Sequence, residues 1–199
     1  MKRLVVGVTG ASGSLCARSV LRELVRRDDV ERVHVVLSQF SLQTLNVELG
    51  AKARDEAEGL KTLLDGVPAE RVTLHRSSDM AAAISSGSYR ADGMVVVPCS
   101  GGTLAAIANG TSHNLLHRAA EVTLKERRPL VLAFRESPLS LVHIENMRKA
   151  ALAGAAIFPL TPAFYNRPQG LDEMVEQFTA RIFDLLGLPH ALGKRWGPA

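Results

Sequence analysis

The residue types best suited to chemistry gather in one stretch. Glu136 stands beside Arg135 at the end of the apolar run Leu130 to Phe134. The loop Ser100-Gly101-Gly102-Thr103 follows another apolar run, Met94 to Val97, which breaks at Pro98. A positioned carboxylate moves protons in a transition state, and a guanidinium beside it holds an oxyanion. Glycines with short hydroxyls let backbone N–H groups approach a phosphate closely. Further along come Lys125 within Leu-Lys-Glu-Arg-Arg, Tyr165 between Pro162 and Pro168, and Arg181 on an amphipathic run. Each has a plain alternative. Gly and Ser make turns, and exposed Arg, Lys and Glu pair with one another on most surfaces.

Positioning these groups falls to strands alternating with helices. Lys2 to Val8 is a short β-branched run, so a buried strand. It ends in Thr9-Gly10-Ala11-Ser12-Gly13-Ser14, and Leu15, Val20, Leu21, Leu24 and Val25 then recur at helical spacing. Strand, glycine turn and helix together aim N–H groups and a helix dipole at an anion. Asp28 and Asp29 close that helix. Val33 to Leu37 is the second strand, ending at Ser38, and Leu42 to Leu49 is helical. Ala51 to Gly66 is charged and only weakly periodic. Val72 to Leu74 reads as a short strand and Met80 to Ile84 as a short helical piece. Helical sequence carrying Arg118 and Lys125 follows the Ser100 loop. Ser140 to Ala153 is a helix, Ala155 to Phe158 a strand, Thr161 to Gly170 a Pro-punctuated loop, and Leu171 to Leu186 the final helix. The expected fold is α/β: a three-layer, doubly wound parallel sheet of the flavodoxin/Rossmann kind in a single domain, residues 1–199. Both strand ends of the central stretch then face the ligand crevice of such a sheet.

With 46% hydrophobic and 22% charged residues, the 199-residue chain has the composition of a soluble globular protein. Its net charge of +4 comes without a long Lys/Arg run or an aromatic platform, which argues against nucleic-acid binding. No apolar run reaches membrane-spanning length. Cys16 and Cys99 sit on apolar elements and read as packed free thiols of a reducing, cytoplasmic compartment. Neither has a metal-ligand spacing. His113, His117 and His143 also lack such spacing and read as surface or core-edge residues. No metal site is expected.

Gly7, Gly10 and Gly13 resemble a dinucleotide turn, but the second strand ends in Ser38-Gln39. An NAD site places a carboxylate there for the ribose, and an NADP site an Arg nearby. A mononucleotide needs only hydroxyls and N–H groups for its phosphate. Ser12, Ser38, Ser100 and Thr103 all follow predicted strand ends, and FMN fits that inventory best.

The chain resembles the UbiX-like flavin prenyltransferases, within the flavoprotein superfamily shared with flavin-dependent cysteine decarboxylases. The matching pieces, in family order, are Val8 to Gly13 (VTGASG), Ile84 to Tyr89 (ISSGSY), Val96 to Ala108, Arg118 to Leu132, Arg135 to Met147 and Pro162 to Gln169. The resemblance implies transfer of the dimethylallyl group of dimethylallyl monophosphate to reduced FMN, at N5 and C6, without a metal. The product, prenylated FMN, serves a partner decarboxylase. It implies a homo-oligomer, a dodecamer, with sites completed by neighbouring subunits and the tail 188–199 contacting them. Carried over by motif, Gly10, Ala11, Ser12, Ser38, Ser100, Gly101, Gly102, Thr103 and Arg135 would hold FMN. Lys125, Arg135, Tyr165 and Arg181 would hold the prenyl phosphate. Glu136 would be the acid–base residue, assisted by Ser12. Arg76 to Met80 lacks the Trp some relatives carry there. Two rival readings differ in class: a flavin-dependent cysteine decarboxylase, for which the chain lacks a Pro-x-Met-Asn segment, and a non-catalytic flavin carrier for a decarboxylase.

Overall fold

The computed structural model describes residues 1–195 and Gly197. Six strands form one parallel sheet: β1 (Lys2–Val8), β2 (Val30–Leu37), β3 (Val72–His75), β4 (Gly93–Cys99), β5 (Leu130–Phe134) and β6 (Ala156–Pro159). The helices are α1 (Ser14–Arg26), α2 (Ser41–Leu49), α3 (Glu56–Leu64), α4 (Gly101–Ala108), α5 (Leu115–Lys125), α6 (Leu141–Leu152) and α7 (Leu171–Leu185). Strand order is β3-β2-β1-β4-β5-β6, so the order reverses between β1 and β4. At such a reversal the loops leaving the two strands turn to opposite faces and leave a crevice at their carboxyl ends.

The strands are nearly continuous Val/Leu runs because helices cover both faces. One face packs Leu4, Val6, Val33 and Val95 against Val20, Leu21 and Leu24 of α1 and Ile182 and Phe183 of α7. The other packs Val5, Met94, Val96 and Leu132 against Leu104, Leu116 and Ala120 of α4 and α5. All seven residues of β4 are buried. Each fully buried Val or Leu of this kind contributes about 1.5–3 kcal/mol of transfer free energy. At Gly7 an added Cβ would lie 2.9 Å from Leu116 Cδ1, so a side chain there would push α5 off β1.

Several expected boundaries shift. Ala51 to Gly66 contains α3, started by Asp55, whose side chain accepts the N–H of Glu58. Its buried stripe is only Gly59, Leu60, Leu63 and Leu64, too short for a clear period. β4 does not end at Pro98 but runs on to Cys99, with its register to β5 shifting between Val96 and Cys99. Proline lacks the N–H for a ladder bond, so the strand can continue only with an interruption. The Met80 to Ile84 piece is a single 3-10 turn at Ala83–Ser85. α1 ends at Arg26, before Asp28 and Asp29. The helical stretch after the Ser100 loop is two helices, with Asn114 capping the second through the N–H of His117.

α6 buries only Asn146 and Ala150, while Leu141, Val142, Ile144 and Leu152 are exposed. Four large apolar side chains on one such helix exceed ordinary surface scatter. Residues 188–195 of the tail fold back on their own chain: Leu188 is buried, and Gly193 N–H donates to Glu176 Oε1 at 2.8 Å. Of the tail expected to reach neighbours, 196 and 198–199 lie outside the described residues.

Candidate active site

Thr9 ties the switch point together. It is 2% exposed, and its Oγ1 donates to Pro98 O at 2.7 Å while accepting the N–H of Ser100 at 2.9 Å. One hydroxyl therefore fixes the end of β1 against the start of the Ser100 loop. Ser100 in turn caps α4: its Oγ accepts the N–H of Thr103 and donates to Thr103 Oγ1 at 3.2 Å. The first turn of α4 presents Gly101 and Gly102, and a Cβ at Gly102 would meet nothing within 4 Å. Free N–H groups at a helix start with no side chain over them suit an anion. On the other wall Gly10 lies against Phe40, where a Cβ would come 2.8 Å from Phe40 Cβ. Phe40 is 68% exposed. Ser38 sits beside it, its N–H bonded to Val8 O at 2.9 Å. The crevice is a shelf flanked on one side by Phe40 and Ser38 after β2 and on the other by the Ser100 loop and the start of α4.

The start of α1 does not wait for an external anion. Glu48, on α2, accepts the N–H of Gly13 at 3.1 Å and that of Ser14 at 2.7 Å. Burial raises the Glu48 pKa, but hydrogen bonds from Ser12, Ser14 and Gly13 outweigh it and hold the carboxyl below its usual range. A built-in carboxylate thus occupies the position that the glycine turn offers to a phosphate, and ties Ser12 into its network. Glu48 was invisible in the sequence because it is one polar residue on an amphipathic helix. So was Thr9, a single hydroxyl at a strand end.

At the end of β5, Arg135 N–H donates to Cys99 O at 3.1 Å, which sets the Arg135-Glu136 turn beside the Ser100 loop. Glu136 Oε1 accepts the N–H of Ser137 at 3.2 Å. Its Oε2 faces α4, 3.5 Å from where a Cβ on Gly101 would lie. His143 Nε2 comes within 3.1 Å of the same point. His143 is not a bystander: its Nδ1 accepts the N–H of Ser140 at 3.1 Å and completes a capping box on α6. Gly101 suits this close approach, because a Cβ there would crowd His143 Nε2 at 3.1 Å, while Glu136 Oε2 at 3.5 Å would remain in ordinary contact.

Tyr165 and Arg181 come together elsewhere, in a cavity of about 540 Å³ between the end of β6, the 3-10 turn Phe164–Asn166 and α7. Arg181 is paired with Asp184 at 2.6 Å. Leu160, just beyond β6, reaches within 3.1 Å of a Cβ built on Gly13, so the end of β6 packs against the β1 turn. Lys125 is not brought to either place within one chain. It precedes β5 while Glu136 follows it, which puts about 17 Å of strand between them. Its Nζ bonds Glu126 Oε1 at 2.5 Å. Arg118, on the same helix, pairs with Glu121 at 3.1 Å. Among the described residues no cluster of three or more His, Cys, Asp or Glu could hold a metal, and no helix is long and apolar enough to cross a membrane.

A family model described as Flavoprotein matches residues 1–175. Flavin prenyltransferase LpdB of Lactiplantibacillus plantarum is 44% identical over 196 residues, 98% of each chain. The chain belongs to the UbiX-like flavin prenyltransferases. The crystal structure of AnUbiX (PadA1) in complex with FMN and dimethylallyl pyrophosphate is 41% identical, with a TM-score of 0.85 over 100% of this chain and 98% of that one. A dodecameric FMN-dependent UbiX-like decarboxylase from Escherichia coli O157:H7 is 41% identical, with a TM-score of 0.86 over 98% of this chain and 100% of that one. The six-stranded parallel sheet is the flavodoxin-like fold of these relatives.

Proposed function

We propose that this flavin prenyltransferase joins the dimethylallyl group of dimethylallyl monophosphate to N5 and C6 of reduced FMN, making prenylated FMN for a partner decarboxylase. The convergence of Glu136 Oε2 and the glycine start of α4 at the switch point carries this reading. The shelf fits FMN. Phe40 and the Gly10-Ala11-Ser12 turn suit a planar ring, while Ser38, Ser100, Thr103 and the N–H groups of Gly101 and Gly102 suit a phosphate. Because Glu48 fills the start of α1, the phosphate belongs at α4 instead. Arg135, at the end of β5, serves both the flavin and the prenyl phosphate.

Bound reduced FMN supplies the electron-rich N5 and C6 to which the prenyl group is joined. Glu136 takes up the proton released at C6, a role for which an acceptor held by one N–H and open on its other oxygen is suited. Ser12, hydrogen-bonded to Glu48, assists in proton handling. Arg181 and Tyr165, with Arg135 and Lys125, take the charge of the departing phosphate. Arg forks and an ammonium bind such a group with charge-assisted hydrogen bonds. Lys125 reaches this site from a neighbouring chain, in a homo-oligomer of the dodecameric kind. The uncovered apolar side of α6 and the position of Lys125 before the amino end of β5, opposite the strand ends that carry the site, support that assembly.

The test is incubation with reduced FMN and either dimethylallyl monophosphate or the diphosphate, followed by mass spectrometry of the flavin. A gain of one isoprenyl unit with the monophosphate is expected. Unchanged flavin with both donors, in protein that binds FMN, would leave only a carrier role.

A further inference from the structure

The Tyr165–Arg181 cavity contains charges that neither the motifs nor the reaction account for. Asp184 lies one turn beyond Arg181 on α7. Its Oδ2 accepts from Arg181 Nη1 at 2.6 Å, and its Oδ1 accepts from His190 Nε2 and Arg195 Nη2, each at 3.0 Å. The Leu192 N–H donates to His190 Nδ1 at 3.1 Å, so the ring proton is assigned to Nε2 and points at Asp184. The His190 side chain is 3% exposed and packs edge-on against Phe183. At Gly193, with φ of +66°, the chain runs so close to α7 that a Cβ would meet Ala180 Cβ at 3.2 Å. These contacts lay the tail along α7 and bring Lys194 and Arg195 into the lining that holds Tyr165 and Arg181.

The charge balance of that lining points to a ligand. Arg181, Lys194 and Arg195 face the cavity, against Asp184 as its one acidic residue. Lys194 pairs only loosely, with Glu173 at 3.8 Å. One carboxylate shared among two guanidiniums and an imidazole leaves unused N–H donors on both guanidiniums for another anion. A phosphate monoester, close to a dianion at neutral pH, matches the excess positive charge.

We propose that Arg195 is a further phosphate-binding residue of this cavity, and that Asp184 is the positioning residue that holds Arg181 and Arg195 in register before the anion arrives. The phosphate contacts Arg195 directly, while Asp184 acts through the two guanidiniums. This rests on the reading that the cavity takes the prenyl phosphate, and the experiment separates the two.

Steady-state prenyl transfer is measured at saturating reduced FMN with dimethylallyl monophosphate varied, for Arg195→Ala, Arg195→Lys and Asp184→Asn. Arg181→Ala is the reference, and FMN affinity is measured alongside. Arg195→Ala should raise KM about 10-fold or more, with kcat within about threefold and FMN affinity unchanged. Its KM should rise less steeply with salt than that of the parent, since one screened contact is gone. Arg195→Lys should recover most of the loss. Asp184→Asn should raise KM by a smaller factor. An Arg195→Ala KM within about twofold of the parent, while Arg181→Ala raises KM, overturns this inference alone. No effect in Arg181→Ala overturns the reading beneath it. Where Arg195→Ala loosens the tail, Arg195→Gln keeps reach and polarity without charge. A parental KM in that variant means the charge is not used and the proposal fails.

Discussion

The switch-point shelf and the cation set are built in opposite ways. At the shelf the chain completes its own polar network. Thr9 joins β1 to the Ser100 loop, Glu48 caps α1, and Ser100 caps α4. The cations, by contrast, are scattered: Arg135 at one strand end, Arg181 behind β6, and Lys125 before β5. Each of Arg181 and Lys125 is paired with a nearby carboxylate, Asp184 or Glu126. The hydrogen bonds that shape the shelf close within one chain. Under the proposed function, the phosphate site is complete only when a neighbouring chain supplies Lys125.

Removing the carboxylate at the junction of the two regions should have the largest effect. Glu136→Gln keeps size and the Ser137 hydrogen bond but removes the base, so turnover should fall roughly 10²-fold or more while FMN affinity holds. Stopped-flow turnover against flavin titration checks both halves. Next comes Lys125→Ala, expected to weaken prenyl phosphate binding by about 2 kcal/mol, with FMN binding untouched. Loss of FMN binding in that variant would place Lys125 on the shelf side of the contrast.

Thr9→Val probes the shelf itself. It replaces a buried hydroxyl that makes two hydrogen bonds, leaving the Ser100 N–H unpaired and Pro98 O with only the longer bond from Thr9 N–H at 3.3 Å. A stability loss of about 2 kcal/mol in urea unfolding is expected, together with weaker FMN binding. An unchanged midpoint would mean that the two strand ends are held by packing alone.

The smallest effect concerns a polar chain away from both regions. His34, on β2, contacts His75 Nε2 through Nδ1 at 2.9 Å and the Tyr89 hydroxyl through Nε2 at 2.6 Å. Burial, with the charges of His75, Arg32 and Arg3, lowers its pKa to about 4. Between about 6.5 and about 4 the unfolded chain takes up a proton that the folded chain refuses, so stability falls as pH drops through that window. His34→Gln should flatten that acid limb in pH-dependent thermal melts. The same slope in parent and variant would assign the limb to other groups.

Much of this could be read from residues. Apolar runs bounded by Gly, Ser and Pro mark every strand, most plainly β4 and β5, whose residues are all buried. Glu136, Arg135 and the Ser100 loop were legible because each immediately follows such a run. What escaped depended on distance in the chain. Glu48 meets Gly13 across 35 positions, and Thr9 meets Pro98 across 89. Single polar residues with long-range partners leave no local period or motif. His143 is half-buried, as a surface or core-edge residue, and its approach to Gly101 on another element likewise leaves no local signal. The expectation of a site shared between chains came from the resemblance alone, and Lys125 shows why spacing could not supply it.

The contrast between a finished shelf and a shared cation site is tested most directly by co-expressing Glu136→Gln chains with Lys125→Ala chains and assaying the mixed oligomer for flavin prenylation. Each variant alone should be strongly impaired. In the mixture, sites that take Glu136 from one chain and Lys125 from the other are intact, so activity should rise well above the sum of the separate variants. Activity no greater than that sum, in oligomers shown by mass spectrometry to contain both chains, would contradict the account.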